Sequence, residues 1–295
     1  MATQMTSLPA TEDQIKHAVR LIEDASGKAL KQLALDEDAM QRLVQLGVAG
    51  IMPHILTLLH GLTVTDEFAD EETKPKYGYP SSYKSARPAI EQMAALKAAF
   101  PTLKSYDSVL AARDVLAGTE GNFLIPDWRI LAPTYVEAVE LMLAALKKSC
   151  NGRFKNYREN QLGANQLRES GKKAAAFQKL REEQAGHDVL VVFAQLGARH
   201  GGRSVKRARV VMGGNEFGLG VFEIGCMLLT HPERLKHYTD LWIDCAGDEY
   251  ALSAGGDPCS VPHFRSGGGR IILGSRVVGR PHDCGSASAL VAPLE

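Results

Sequence analysis

Residues His187–Leu196 read HDVLVVFAQL, a run that is apolar on both faces of an extended chain. Valine is its commonest residue, and valine favours strands because its branched side chain packs well on a pleated surface. A short run of this kind is typical of a strand covered on both sides. The sequence therefore predicts a buried strand here, with other elements packed on its two faces.

Helical patterns dominate the chain before this strand. Thr11 and Gln14 have the spacing of a capping box, and Asp36 can cap a second helix that stops at Gly47. The segment Ala164–Gln184 is charged and predicts a helix that is broken or kinked near Gly171. These patterns predict a helical N-terminal half.

Strand patterns become frequent after the first third. Asn122–Ile125 and Leu241–Cys245 are short apolar runs, and His263–Arg265 with Arg270–Val278 predict a hairpin around a glycine-rich turn. We therefore expect an α+β fold, with helices packed on a small mixed or antiparallel sheet. We expect a helical region at 1–118 and an α+β region at 119–295, and the two could form one continuous globular domain.

The composition is that of an ordinary globular protein. The chain has 295 residues, of which 45% are hydrophobic and 23% charged, and no run approaches the ~20 apolar residues of a membrane span. The first residues lack the basic and apolar regions of a secretory signal. Five scattered cysteines suggest no disulfide framework. We expect a soluble cytoplasmic protein that does not contact membranes.

Charge is distributed unevenly along a chain whose formal net charge is zero. Residues 147–209 contain 15 Lys and Arg against 5 Asp and Glu, a net charge of +10. The flanking parts are acidic, at −6 for residues 1–146 and −4 for residues 210–295. A basic middle suits a polyanionic partner, although charged helix faces are often only solvated surface.

The densest basic stretch predicts a nucleic-acid interface. It follows the buried strand and opens a helix capped by Ser204, where lysine and arginine side chains would neutralise phosphates. Its candidate phosphate contacts are Arg199, Arg203, Lys206, Arg207 and Arg209. The basic residues at 147–181 form a candidate secondary surface. The alternative is that these side chains dock against the acidic N-terminal half or face an acidic protein partner.

A second candidate site lies in the turn after the predicted strand Leu241–Cys245. Asp244, Asp248 and Glu249 could form a divalent-metal site or an acid–base pair if folding brought Glu216 or His200 near. His200 would then be the base of a metal-dependent hydrolase or nuclease. The alternative is an ordinary polar turn.

The third candidate site is a set of cysteine and histidine residues near the predicted hairpin. Cys259 and His263 are spaced C-x-x-x-H, and His282 and Cys284 are spaced H-x-C. Two thiolates and two imidazoles suit tetrahedral zinc, which would be structural because all four positions are filled. The alternative is that these are unrelated loop residues.

Several common motifs are absent from the sequence. It contains no P-loop and no nucleophile elbow, and Gly218-Leu219-Gly220 lies in a helix-like run, which argues against a dinucleotide-binding turn. The sequence thus favours an intracellular binding protein whose basic centre contacts nucleic acid or another polyanion. A metal-dependent hydrolase and a structural or partner-binding protein are the alternatives.

Overall fold

The computed structural model describes residues 11–33, 35–63, 65–280 and 283–291. The chain divides into two compact units, Met1–Ile55 and Leu56–Glu295. The fold is α+β, as the sequence predicts, with helices before the first strand and mixed sheets after it.

The described helices and strands are as follows. The helices are α1 (Glu12–Leu33), α2 (Glu37–Thr63), α3 (Ala89–Ala99), α4 (Ser108–Ala111), α5 (Trp128–Leu131), α6 (Tyr135–Ser149), α7 (Gly171–Glu183), α8 (Val205–Val211) and α9 (Val221–Thr230). The strands are β1 (Gly121–Pro126), β2 (Phe154–Asn156), β3 (Leu167–Glu169), β4 (Val189–Gln195), β5 (Glu216–Gly218), β6 (Trp242–Asp244), β7 (Asp248–Tyr250), β8 (Ser260–Gly267), β9 (Arg270–Val277), β10 (Cys284–Ser286) and β11 (Ser288–Leu290).

The first unit contains α1 and the beginning of α2. The predicted capping box of α1 is confirmed: the Thr11 N–H donates to Gln14 Oε1 at 2.8 Å, and the Gln14 N–H donates to Thr11 Oγ1 at 3.3 Å. Asp36 caps α2, and Gly47 breaks its helical geometry with a φ of 59°. No side chain of α1 is buried. Among the described residues, no helix is both long and apolar enough to cross a membrane.

The predicted buried strand is β4, and it belongs to a four-stranded sheet in the second unit. All seven of its residues are buried. The strand order is β1-β4-β11-β5, and each neighbouring pair is antiparallel. The whole of α9 is buried and packs against β1, α3 and α6, so helices cover this sheet.

A seven-stranded sheet forms the other half of this unit. Its main order is β10-β6-β8-β7-β3, and β9 pairs with both β8 and β2. Strands β8 and β9 form the predicted hairpin, whose turn contains Gly268 and Gly269 at φ values of 58° and 70°. Only glycine adopts such values readily, which explains the glycine-rich turn. A single residue, Ala287, separates β10 from β11, so the chain passes directly from this sheet to the first.

Two sequence predictions about these elements are wrong. The charged helix predicted from Ala164 begins only at Gly171, because the preceding residues form β3, which pairs with β7. The Ser170 hydroxyl accepts from the Lys173 N–H and marks the true start of α7. The run around Gly218 is not helical throughout: Glu216–Gly218 is β5, paired with β11, and α9 follows it. Strand pairing over a long sequence distance overrides local helical preference in both places.

Candidate anion-binding pocket

The two faces of the seven-stranded sheet differ in chemistry. On one face Ile243, Phe264 and Leu273 lie side by side on β6, β8 and β9, and all three are fully buried. Residues alternate between faces along a strand, so Asp244 and His263 on neighbouring strands share the opposite face. That opposite face is polar and carries a cavity.

The cavity has a volume of about 590 Å³. We call it the arginine pocket because four of its ten lining residues are arginines and none is acidic. The lining residues are Tyr157, Arg158, Trp242, His263, Arg265, Gly274, Ser275, Arg276, Val277 and Arg280. A cavity of this size and charge suits an organic anion.

One of the four arginines is neutralised within the chain. Arg276 makes a bidentate ion pair with the buried carboxylate of Asp244, with Nε to Oδ1 at 2.9 Å and Nη2 to Oδ2 at 2.5 Å. Among the described residues, no carboxylate forms an ion pair with Arg158, Arg265 or Arg280. The pocket therefore presents three positive charges without an internal counter-charge, and these favour a bound anion.

His263 is a buried wall of the pocket. It is 6% exposed, and its ring stacks on Trp242 with the centroids 5.3 Å apart and the planes 10° apart. Burial lowers the pKa of His263 to about 4; nearby Arg276, Arg265 and Arg158 act in the same direction and Asp244 acts against them. The imidazole is therefore neutral at pH 7. Its buried Nδ1 has no hydrogen-bond partner among the described residues.

Gly274 makes room for this histidine. A Cβ added at Gly274 would lie 3.1 Å from both Cε1 and Nε2 of His263, closer than most real contacts of this kind. Gly274 also lies directly opposite His263 on the neighbouring strand. The glycine therefore lets the imidazole lie flat across β9 at the pocket.

Aromatic side chains border the pocket beside the arginines. The Arg265 guanidinium lies 5.1 Å from the centroid of a Trp242 ring. Tyr157 is 51% exposed, and Lys155 Nζ lies 4.7 Å from its ring centroid. Arginine and aromatic rings together can hold a ligand that has both a negative group and a flat group.

The predicted phosphate-contacting residues lie elsewhere, and each contacts a partner within the chain. Arg199 Nε lies 3.2 Å from the Glu216 carboxylate, and Arg203 Nε lies 3.2 Å from that of Glu72. Arg209 donates to two backbone carbonyls at 3.0 Å and 2.8 Å.

Lys206 and Arg207 belong to the same basic stretch. Lys206 Nζ lies 5.0 Å from the Phe68 ring centroid. Arg207 hydrogen-bonds to Glu72 and to the backbone carbonyls of Thr65 and Glu67. Residues 65–72, which we call the acidic segment, therefore lie against the N-terminal part of α8. They neutralise or hydrogen-bond much of the positively charged surface there.

The three predicted carboxylates have three different cationic partners. Asp244 pairs with Arg276, Asp248 pairs with the fully buried Lys173 at 2.9 Å, and Glu249 pairs with Arg168 at 2.6 Å. Glu249 follows Asp248 on β7, so the two side chains point to opposite faces.

His200 hydrogen-bonds to Glu216 instead. Its Nε2 lies 2.7 Å from Glu216 Oε1, and the Ser288 hydroxyl donates to the same oxygen at 2.6 Å. Burial alone would raise the pKa of Glu216, but the hydrogen bonds from His200 and Ser288 and the nearby Arg199 lower it to about 2. Folding thus places His200 against Glu216 beside the four-stranded sheet, and among the described residues neither joins Asp244, Asp248 and Glu249 in a group that could hold a metal ion.

The predicted zinc ligands are only partly described. His282 lies outside the described residues. Cys284 is buried on β10, His263 lies on β8, and β6 separates these two strands. Cys259 is exposed just before β8. Within the described residues, no group of three or more His, Cys, Asp or Glu side chains is arranged to hold a metal ion.

The start of α9 has the strand–glycine–helix order of a phosphate-binding turn but is already occupied. The Val221 N–H donates to Asp248 Oδ2 at 2.7 Å, and the Gly220 N–H donates to Glu223 Oε2 at 2.9 Å. Both carboxylates contact Lys173 Nζ at 2.9 Å. The chain's own acidic groups thus take the place of an anion at this helix N-terminus.

Comparison with protein-family models, with curated proteins and with solved structures gave no match. The fold and the pocket therefore carry the functional argument: the protein is α+β, and an arginine-lined cavity lies on the polar face of its larger sheet.

Sequence reasoning missed most of the pocket. Arg158 falls in the predicted secondary surface and His263 in the predicted zinc set, but Arg265, Arg276 and Arg280 come from a segment that is acidic overall. A usable signal was present in the alternation of β8 and β9, where His263 and Arg265 on one strand and Arg270 and Arg276 on the other are separated by even numbers of residues and so share a face within each strand.

Proposed function

We propose that this protein binds a phosphate-bearing ligand, and that the arginine pocket holds the phosphate group. The observation that carries the proposal is the set of three arginines, Arg158, Arg265 and Arg280, that line one cavity without a carboxylate partner among the described residues. Guanidinium groups match phosphate oxygens in geometry and stay charged at every physiological pH.

Nucleic acid or another polyanion remains the partner class that the charge distribution favours. In this proposal the pocket supplies the main phosphate contact. The basic stretch at 199–209 contributes less, because Arg207 and Arg209 are engaged internally, although Arg199 and Arg203 keep 28% and 30% of their side-chain surfaces exposed.

The test is titration calorimetry with inorganic pyrophosphate and with a short single-stranded oligonucleotide, at two salt concentrations. We expect both probes to bind and to bind more weakly at high salt, because counterions compete for the arginines. Replacing Arg265 with Gln should weaken binding about tenfold or more, because the variant loses at least one charge-assisted hydrogen bond to the phosphate.

The matched control is Arg270→Gln, which removes the same charge from the same hairpin but outside the pocket. It should leave the affinity within about twofold of the unchanged protein, since exposed charges act weakly at a distance. Equal losses in both variants would mean that only overall charge matters. The proposal would then be wrong, as it would be if neither probe bound at low salt.

A further inference from the structure

We infer that the ligand of the arginine pocket carries an aromatic ring beside its phosphate group, as a nucleotide does. This inference rests on the proposed function and narrows the class of ligand. It applies equally to a free nucleotide and to the phosphorylated end of a nucleic-acid strand, which share this chemistry.

The cavity is larger than a phosphate group. A water molecule occupies roughly 30 Å³ of liquid, so a phosphate group with four oxygens fills on the order of 100 Å³. The cavity measures about 590 Å³, within the roughly 300–1,000 Å³ typical of sites for organic ligands. Most of the space is therefore left for the rest of the ligand.

Aromatic side chains form part of the pocket wall, among them Tyr157 and Trp242. Tyr157 directly follows β2, where its N–H donates to the Leu273 carbonyl at 2.9 Å, so the tyrosine lies beside Gly274 at the pocket. Half of its surface is exposed even though Lys155 Nζ lies 4.7 Å from its ring centroid, and Gly274 has no side chain to cover it. An exposed tyrosine ring next to an arginine cluster is the usual platform on which a base stacks.

His263 provides an uncharged hydrogen-bonding group. Its imidazole is neutral at pH 7, and its buried Nδ1 has no partner among the described residues. A buried polar atom without a partner costs free energy unless a ligand or water satisfies it. A neutral nitrogen suits a ring nitrogen, an amine or a hydroxyl of the ligand better than a second phosphate.

The test compares three probes. They are adenosine 5′-monophosphate, ribose 5-phosphate, which lacks the base, and adenosine, which lacks the phosphate. We expect adenosine 5′-monophosphate to bind about tenfold more tightly than ribose 5-phosphate, the contribution of one stacked base. Adenosine without phosphate should bind most weakly. Tyr157→Ala should reduce the affinity for adenosine 5′-monophosphate to that for ribose 5-phosphate, and Tyr157→Phe should preserve it.

The outcomes separate this inference from the proposed function. If ribose 5-phosphate binds as tightly as adenosine 5′-monophosphate and Tyr157→Ala changes neither, the ring is not recognised and only the inference fails. If no phosphate probe binds, or adenosine binds as tightly as its monophosphate, the proposed function fails as well. A cooperative unfolding transition in each variant shows that the fold is retained.

A second comparison distinguishes the two sources of the ligand. The probes are the mononucleotide and an oligonucleotide with and without a 5′-phosphate. Tight binding only of the phosphorylated oligonucleotide identifies a strand end, and equal binding of the mononucleotide identifies a free nucleotide. Equal binding of both oligonucleotides, with no binding of the mononucleotide, would overturn the inference. The protein would then bind only the phosphates within the strand.

Discussion

Lys173 is a lysine with no exposed surface, which is rare because removing a charge from water is costly. Its ammonium group contacts Asp248 Oδ1 and Glu223 Oε2 at 2.9 Å each and the Tyr135 hydroxyl at 2.8 Å. Burial raises the pKa of Glu223 to about 6, although Lys173 acts against this rise. The lysine therefore holds two buried carboxylates together in the core.

We expect Lys173→Met to lower the free energy of unfolding by about 3–5 kcal/mol, because two buried carboxylates lose their shared cation. Urea denaturation followed by circular dichroism measures this loss. Lys179→Met, on the same helix, removes an exposed lysine paired with Glu183 and should change stability by less than about 0.5 kcal/mol. Similar effects of the two substitutions would contradict the role given to Lys173.

Two buried histidines make stability depend on pH. Burial lowers the pKa values of His231 and His263 to about 4, from the ordinary value of 6.5. Between these values the unfolded chain binds protons that the folded chain does not. The stabilisation is therefore complete above pH 6.5 and is lost as the pH falls towards 4. Glu216, with its pKa near 2, adds a further loss between pH 4.5 and 2.

We expect His263→Asn to flatten the dependence of unfolding free energy on pH between 6.5 and 4, since it removes one of the buried histidines whose pKa is lowered, the others being His231 and His200. Urea denaturation at several pH values measures the slope of unfolding free energy against pH. Glu223 acts oppositely, because its raised pKa favours folding at low pH and loses that effect as the pH rises through about 6. An unchanged slope in the variant would mean that His263 protonates as easily in the folded chain as in the unfolded one.

The acidic segment and α8 are the elements that account for the predicted nucleic-acid interface. Burial alone would raise the pKa of Glu72, but hydrogen bonds from Arg207 and Arg203 hold it below its ordinary value. Glu72 keeps a third of its side-chain surface exposed, so solvent weakens these ion pairs. The sequence predicted the positive charge of α8 and, as the alternative to a nucleic-acid interface, docking against the acidic N-terminal half, but it did not single out residues 65–72 as the part that makes this contact.

We expect Glu72→Gln to lower the free energy of unfolding by about 1 kcal/mol and to increase salt-dependent oligonucleotide binding, because Arg203 and Arg207 lose their counter-charge. Fluorescence anisotropy at two salt concentrations measures the binding. Glu67→Gln is the control, since Glu67 is exposed and contacts Arg207 only through its backbone carbonyl. Unchanged binding in Glu72→Gln would argue that α8 does not contact nucleic acid.

Local patterns predicted the helix caps and the core strand because their signals lie within a few residues. The Ser204 hydroxyl accepts from the Arg207 N–H, and Thr11 and Gln14 form the predicted capping box at α1. The short strands β3 and β5 were missed because three residues carry little periodicity, and their partners are distant in sequence. Pairing of that kind is a property of the fold and not of the segment.

At the scale of the whole molecule, every buried hydrophobic core residue that the structure describes belongs to the second unit. The core residues run from Tyr83 to Ala289, and α1 contributes no buried side chain. Large apolar side chains of the first unit, such as Leu33 and Val48, are 64% and 75% exposed. The second unit thus has the buried surface that an independently stable domain needs.

We expect a chain that begins at Leu56 to unfold cooperatively, with a Tm within about 5 °C of the complete chain, because none of the described core side chains is removed. Differential scanning calorimetry measures this. A matched deletion of residues 283–291 should abolish cooperative unfolding, since it removes β10 and β11 from both sheets. Loss of the transition in the first variant would show that the first unit stabilises the second.

Charge averaged over long segments did not predict the arginine pocket. Several basic residues of the +10 segment, such as Arg203 and Arg207, pair with carboxylates, whereas Arg265, Arg276 and Arg280 of the pocket come from a segment with a net charge of −4. Strand pairing brings these arginines together with Arg158, more than a hundred residues earlier in the chain. No window of sequence shows such a cluster, because the sheet creates it.

The central position of β11 has a consequence for the nascent chain. Within the described residues β5 pairs only with β11, and β11 also covers the open edge of β4, although it is the last of the described strands to be synthesised. The ribosome therefore releases β4 and β5 long before residues 288–290 exist to join them. During that interval the growing polypeptide exposes unpaired strand edges, which are binding sites for chaperones and starting points for aggregation.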